Sequence, residues 1–182
     1  RTLDAATQLN VHALTHTMTT GMTDRLEAEE SAILVLNTLS EDFRSSLSLS
    51  RQGVKEYQRR RADQVRSLLA GQPTEDWHLE SIARAVHCSP FHLARQFRAV
   101  TGESIARYLL RLRLALALDR LAQGETDLAR LAAELGFAHH SHFSARFRSV
   151  FGTTPMAVRN TLTQRSFQQM SKIVTAKPRT GC

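Results

Sequence analysis

One stretch of this chain repeats another. Residues 78–102, HLESIARAVHCSPFHLARQFRAVTG, align with residues 127–152, DLARLAAELGFAHHSHFSARFRSVFG. Leu79, Ile82, Ala83 and Val86 correspond to Leu128, Leu131, Ala132 and Leu135 at an offset of 49. After a one-residue insertion, Leu93, Phe97, Val100 and Gly102 correspond to Phe143, Phe147, Val150 and Gly152 at an offset of 50. Steps of three and four residues place such positions on one face of a helix. Each copy therefore predicts a short helix, a tight turn and a second helix. Ser89 suits an N-cap and Pro90 the first helical position behind it. Gly136 ends the first helix of the second copy, where a left-handed residue costs glycine least, and His139 is expected to cap the next. Two copies with a short turn and a polar second helix favour helix-turn-helix units over a generic helical hairpin.

The remainder of the chain also reads as helix. Leu3, Ala6, Ala13 and Leu14 share a face in a Thr-rich helix over residues 2–19, which GMT at 21–23 interrupts. A second helix starts at Asp24, with Leu26, Ile33, Leu36 and Leu39 apolar and Glu27, Glu29 and Glu30 in its first turns, where the helix dipole favours acids. SSLSLSRQG at 45–53 reads as a linker. A third helix spans Lys55 to Ala70, with Tyr57, Val65, Leu68 and Leu69 as its stripe and Arg59, Arg60, Arg61 and Arg66 on its outer face. Gly71 and Pro73 end it. Between the two copies lies a longer helix, Ser104 to Leu121, whose Leu109, Leu112, Leu116 and Leu121 are placed to pack against both. The fold class expected is all-α: two helix-turn-helix subdomains joined by a long linker helix and preceded by a helical segment. The boundaries expected are 1–52 for that segment, which could serve as a linker or in dimerisation; 53–162 for the domain that holds both helix-turn-helix units; and 163–182 for a polar, flexible tail.

Charge is unevenly distributed over this +7 chain. Residues 1–74 balance nine basic against nine acidic side chains, whereas residues 75–165 carry twelve arginines, no lysine and eight acids. Guanidinium forks match phosphate oxygens bidentately, so an arginine-only excess suits a nucleic-acid partner as well as a solvated basic face. The longest unbroken apolar stretch, Leu114–Leu118, is far short of the ~20 residues of a membrane span. No signal peptide is visible, and Cys88 and Cys182 are too few and too distant for a disulfide framework. A cytoplasmic protein is expected, and Arg at position 1 reads as a fragment or a processed form.

Three histidines, His139, His140 and His142, invite a metal-binding reading. Helix geometry opposes it, because His140 and His142 stand about 200° apart at 100° per residue. Only His139 and His142 share a side, and no cysteine or carboxylate lies at ligand spacing. His12 and His16 share a face but are only two ligands. Cys88 precedes a helix N-terminus, which could lower its pKa, although a buried core thiol is the simpler role. There is no Gly-rich phosphate loop and no paired-carboxylate site. An enzyme, a metal and a cofactor are therefore not expected.

Over about 75–162 the chain resembles the DNA-binding region of AraC/XylS-type transcriptional regulators. SPFHLARQFRAVTGESIARYLLRLRL and LAAELGFAHHSHFSARFRSVFGTTPMAVR carry the resemblance, including Phe143-Ser144, Phe147, Phe151-Gly152 and Thr154-Pro155. It implies two recognition helices, about 90–100 and 140–150, entering successive major grooves about 34 Å apart. The base-contact candidates it assigns are Phe91, Ala94 and Arg95 in the first and His140, Ser141, Ser144 and Ala145 in the second. Helical geometry places Leu93, Phe97 and Val100, and Phe143, Phe147 and Val150, on the buried stripes. It leaves Phe91, Ala94, Arg95 and Arg98 exposed in the first, with His92 flanking, and Ser141, Ser144, Ala145 and Arg148 opposite the stripe in the second, with His140 and His142 at its flanks. Arg95 is the candidate for a bidentate guanine contact and Phe91 for a thymine methyl. The phosphate-contact candidates are His92, Arg98, His142, Arg146 and Arg148, with the Arg59–Arg61 run as a further patch.

Three departures from the family's pattern matter. Ala145 stands where many relatives have Arg, so the second helix would read by shape or thymine methyls. Arg146 follows directly but points about 100° away, which suits a phosphate or an intramolecular partner. His87 stands where the first turn usually has Gly, so a strained left-handed residue is expected there. The implied partners are double-stranded promoter DNA and RNA polymerase, with a homodimer through the N-terminal helices and an unidentified effector. The alternative is a helical protein-interaction module in which the basic repeat tethers DNA without sequence preference.

Overall fold

A computed structural model describes residues 24–41 and 51–161, and among these all regular structure is helical. The helix over 2–19, the linker residues 45–50, His12, His16, Cys182 and the tail 163–182 lie outside the described residues. Eight helices are described: α1 (Arg25–Glu41), α2 (Arg51–Gly71), α3 (Leu79–Ala85), α4 (Pro90–Thr101), α5 (Ile105–Ala122), α6 (Leu128–Glu134), α7 (His140–Phe151) and α8 (Pro155–Thr161). They form two compact units. The first holds 24–41, 51–69 and 77–107; the second holds 70–76 and 108–161, so the division falls within α5.

In the first unit α3 and α4 pack together and α1 packs on both. Its buried side chains include Leu26, Val65, Leu69, Leu79, Ile82, Leu93, Phe97 and Ile105. In the second, α6 packs on α7 and α7 on α8, around Leu114, Leu118, Leu121, Leu131, Phe137, Phe143, Phe147 and Val158. Phe137, Phe143, Phe147 and Phe151 form a chain of rings with centroids 4.5–5.8 Å apart. Removing one such phenyl ring from water is worth about 1.5–3 kcal/mol. The stripe expected from the repeat is thus the core of each unit, except that Val100 and Val150 are only half-buried.

The repeat extends to the backbone. After α3, Cys88 N–H donates to Ala83 O and His87 N–H to Arg84 O; after α6, Phe137 N–H donates to Ala132 O and Gly136 N–H to Ala133 O. Both are the paired bonds of a Schellman ending, which needs a left-handed residue just past the cap. Gly136 supplies it at φ 77° and His87 at φ 52°, the latter as expected. Helix starts are capped locally: Ser89 Oγ accepts from His92 N, and the Asp127 carboxylate accepts from Ala129 N and Arg130 N.

Four expectations need correction. Helix α2 begins at Arg51, so Arg51, Gln52 and Gly53 belong to it rather than to a linker; Gly53 costs little helix beside a stripe anchored by Val65 and Leu69. Tyr57 is exposed, because its ring lies beside the Arg61 guanidinium rather than in the core. Leu36 is also exposed, since α1 buries its Leu26 and Glu30 positions instead. His139 occupies the N-cap of α7 in extended backbone, but its side chain caps nothing.

Candidate nucleic-acid interface

Helix α4 turns Leu93, Ala94 and Phe97 inward. On its outward side His92, Arg95 and Arg98 are exposed and Phe91 is half-buried, its ring centroid 5.9 Å from that of His92. Ala94 is 0% exposed, which removes it from the base-contact candidates. It adjoins Leu93 and lies one turn before Phe97, so the buried face is wider than a stripe through Leu93, Phe97 and Val100. A surface helix commonly buries such a broad face.

Helix α7 buries His142, Phe143 and Phe147 and leaves His140, Ser141 and Arg148 exposed, with Ser144 and Ala145 half-buried. His140 Nε2 lies 3.4 Å from Ser144 Oγ. His142, expected at a phosphate, is 3% exposed; its ring meets Phe137 edge-on at 5.7 Å and its Nε2 accepts from Arg146 Nε at 3.2 Å. His142 is therefore a core group tied to Arg146 rather than a surface phosphate contact. Arg146 is thus held by an intramolecular partner. The three histidines diverge, and among the described residues no group of three or more His, Cys, Asp or Glu could hold a metal ion.

In the basic run of α2, Arg59 and Arg60 are exposed but Arg61 is 7% exposed, against the expectation of an outward patch. Its guanidinium donates to Tyr57 Oη, to Cys88 Sγ at 3.1 Å and to Gln96 Oε1 at 2.9 Å, tying α2 to the turn and to α4. The Cys88 thiol is half-buried and engaged there. A second buried guanidinium belongs to Arg113, 4% exposed, which donates to Pro73 O, Glu75 O and Gly136 O at 2.9–3.0 Å. Sequence reasoning missed both, yet a signal was present. Arg61 shares the i, i+4, i+8 row of Val65 and Leu69, and Arg113 shares that of Leu109 and Ala117. A charge on a buried row requires buried partners.

Comparison with known proteins agrees with this geometry. A family model described as a helix-turn-helix domain matches residues 82–161. A solved transcriptional regulator from Chromobacterium violaceum, with an AraC-type DNA-binding domain, superposes with a TM-score of 0.52 at 28% identity, covering 56% of this chain and 91% of that one. Residues 82–161 thus match a helix-turn-helix domain and are similar to the AraC-type DNA-binding domain of that structure. In the fold, α3–α4 and α6–α7 each form a helix, a tight turn and a second helix. An uncharacterized HTH-type transcriptional regulator of Escherichia coli K12, YidL, is 34% identical over 106 residues, 58% of this chain and 36% of that protein. The HTH-type transcriptional activator RhaS of Pectobacterium carotovorum is 40% identical over 68 residues, 37% of this chain and 24% of that protein. The chain spans about a third of the length of the curated relatives it matches. Among the described residues no helix is long and apolar enough to cross a membrane.

Proposed function

We propose that this chain is a sequence-specific DNA-binding transcription regulator that inserts α4 and α7 into successive major grooves of promoter DNA. The observation that carries the reading is the recurrence, at one repeat position, of an exposed polar face on a helix whose opposite face is an aromatic core. Arg98 and Arg148 occupy the same place in the two copies and are both exposed. Phosphate contacts at equivalent points would fix register, leaving Phe91, Arg95, His140, Ser141, Ser144 and Ala145 to meet base edges. The relatives named as transcriptional regulators and as a transcriptional activator support DNA as the target; RNA polymerase would be a further partner on this reading.

Selection of bound duplexes from a random pool tests the proposal. The expected result is two short conserved elements with centres about 10–10.5 base pairs apart. Uniform binding that falls steeply with salt and enriches no sequence would instead support a non-specific tether.

A further inference from the structure

Helix α1 lies outside residues 82–161, yet two neighbouring carboxylates on it reach helix starts far along the chain. Glu29 Oε2 accepts from Leu79 N at 2.9 Å, at the start of α3. Glu30 Oε1 and Oε2 accept from Ile105 N at 2.8 Å and Ala106 N at 2.9 Å, at the start of α5. The first N–H groups of a helix have no partner within it. In α5, Ser104 Oγ takes only the third, from Arg107 N, and Glu30 supplies the acceptors for the first two. The corresponding helix of the second unit, α8, is started by residues next to it in sequence. Thr154 Oγ1 caps α8 through Ala157 N, and Pro155 at the first position has no N–H to satisfy.

Glu30 is 2% exposed, and burial raises its carboxyl pKa from 4.5 against the lowering effect of the Ala106 and Ile105 amides, Ser104 and the charge of Arg98. A buried carboxylate is therefore an expensive way to cap a helix, and a surface Ser or Asp would do so at less cost. What Glu29 and Glu30 add is a connection between elements. Helix α4 runs between the two helix starts they hold, α1 packs directly on α4, and Arg98 of α4 lies within the field of Glu30.

We propose that Glu29 and Glu30 are positioning residues that make α1 the seat of the first DNA-reading helix, so that residues preceding the helix-turn-helix domain set its DNA affinity. The inference rests on the DNA-binding reading above. Loss of either carboxylate frees the start of α3 or α5, and α4 is held less well for its groove. The second unit keeps its own contacts.

The test uses the full chain on its selected duplex, with protection from cleavage read separately over each half-site. The half belonging to α4 is identified as the one whose base preference Arg95→Ala relaxes. Glu30→Gln is expected to weaken protection of that half by about fivefold, the scale of a lost helix cap, and to leave the other half unchanged. Glu29→Gln, which alters a partly exposed carboxylate, is expected to act in the same direction with a smaller effect. Hydrogen exchange should accelerate at Ile105 and Ala106 in Glu30→Gln and stay unchanged in α6 and α7. If Glu30 were only a negative charge near DNA, Glu30→Gln would tighten binding, and if it served only stability, both halves would weaken together. Either result, or wild-type protection in both variants, overturns the proposal. A wild-type chain that selects no duplex overturns the DNA-binding reading itself.

Discussion

His87 and Gly136 occupy one position of two homologous turns with different amounts of room. His87 is exposed, so its side chain has space and only the backbone strain of φ 52° remains. A Cβ on Gly136 would stand 2.9 Å from both Thr74 O and Arg113 Nη2. His87→Gly should leave stability within about 1 kcal/mol of wild type, since relief of left-handed strain and the extra freedom of unfolded glycine offset each other. Gly136→Ala should cost more than about 2 kcal/mol, because the clash adds to the strain; denaturant titration of both variants checks the contrast. At the reading face, Arg95→Ala should cost about 1–3 kcal/mol on a selected site and relax one base position. Arg148→Ala should weaken all sequences alike and lower the salt slope by about one. Titrations on matched and mismatched duplexes at several salt concentrations separate the two.

At the scale of an element, the start of α6 is held by a charge cluster that no single motif announces. Glu125 accepts from Asp127 N at 2.9 Å, from Arg130 Nη2 at 2.8 Å and from Arg120 Nη2 at 3.3 Å. The Asp127 amide first, then the Arg130 guanidinium, hold its carboxyl down to about 2 from 4.5. A carboxyl whose folded pKa is depressed adds stability that is complete above its unfolded value and is lost as pH falls toward the folded one. The contribution of Glu125 should therefore fade between about pH 4.5 and 2. Melting temperature followed over this interval should fall less steeply in Glu125→Gln than in wild type.

At the scale of the whole molecule, each compact unit encloses one buried guanidinium beside its turn among the described residues, Arg61 in the first and Arg113 in the second. Arg113 satisfies three carbonyl oxygens from residues 23 to 40 positions away. Arg113→Met nearly preserves volume but leaves those oxygens without their donor. It should cost about 2–4 kcal/mol by denaturant unfolding, because an unpaired buried polar group loses its hydration without compensation.

The sequence alone determined the repeat, the all-helical class, the two turns and the apolar side of α4 and α7, because helical period and cap chemistry are local. Ser89-Pro90, Gly136 and the row Phe143–Phe147 could be read within one or two turns of chain. The family resemblance likewise rested on residues close together in sequence. Only the tertiary structure decided how wide each buried face is, which withdrew Ala94 and His142 from the surface. It also decided which charges turn inward. Arg61, Arg113, Glu29 and Glu30 each find partners at least 23 residues away, except for the Tyr57 contact of Arg61 and the Arg25 contact of Glu29. The physical reason is that burial of a charge depends on the donors or acceptors that distant backbone brings to it.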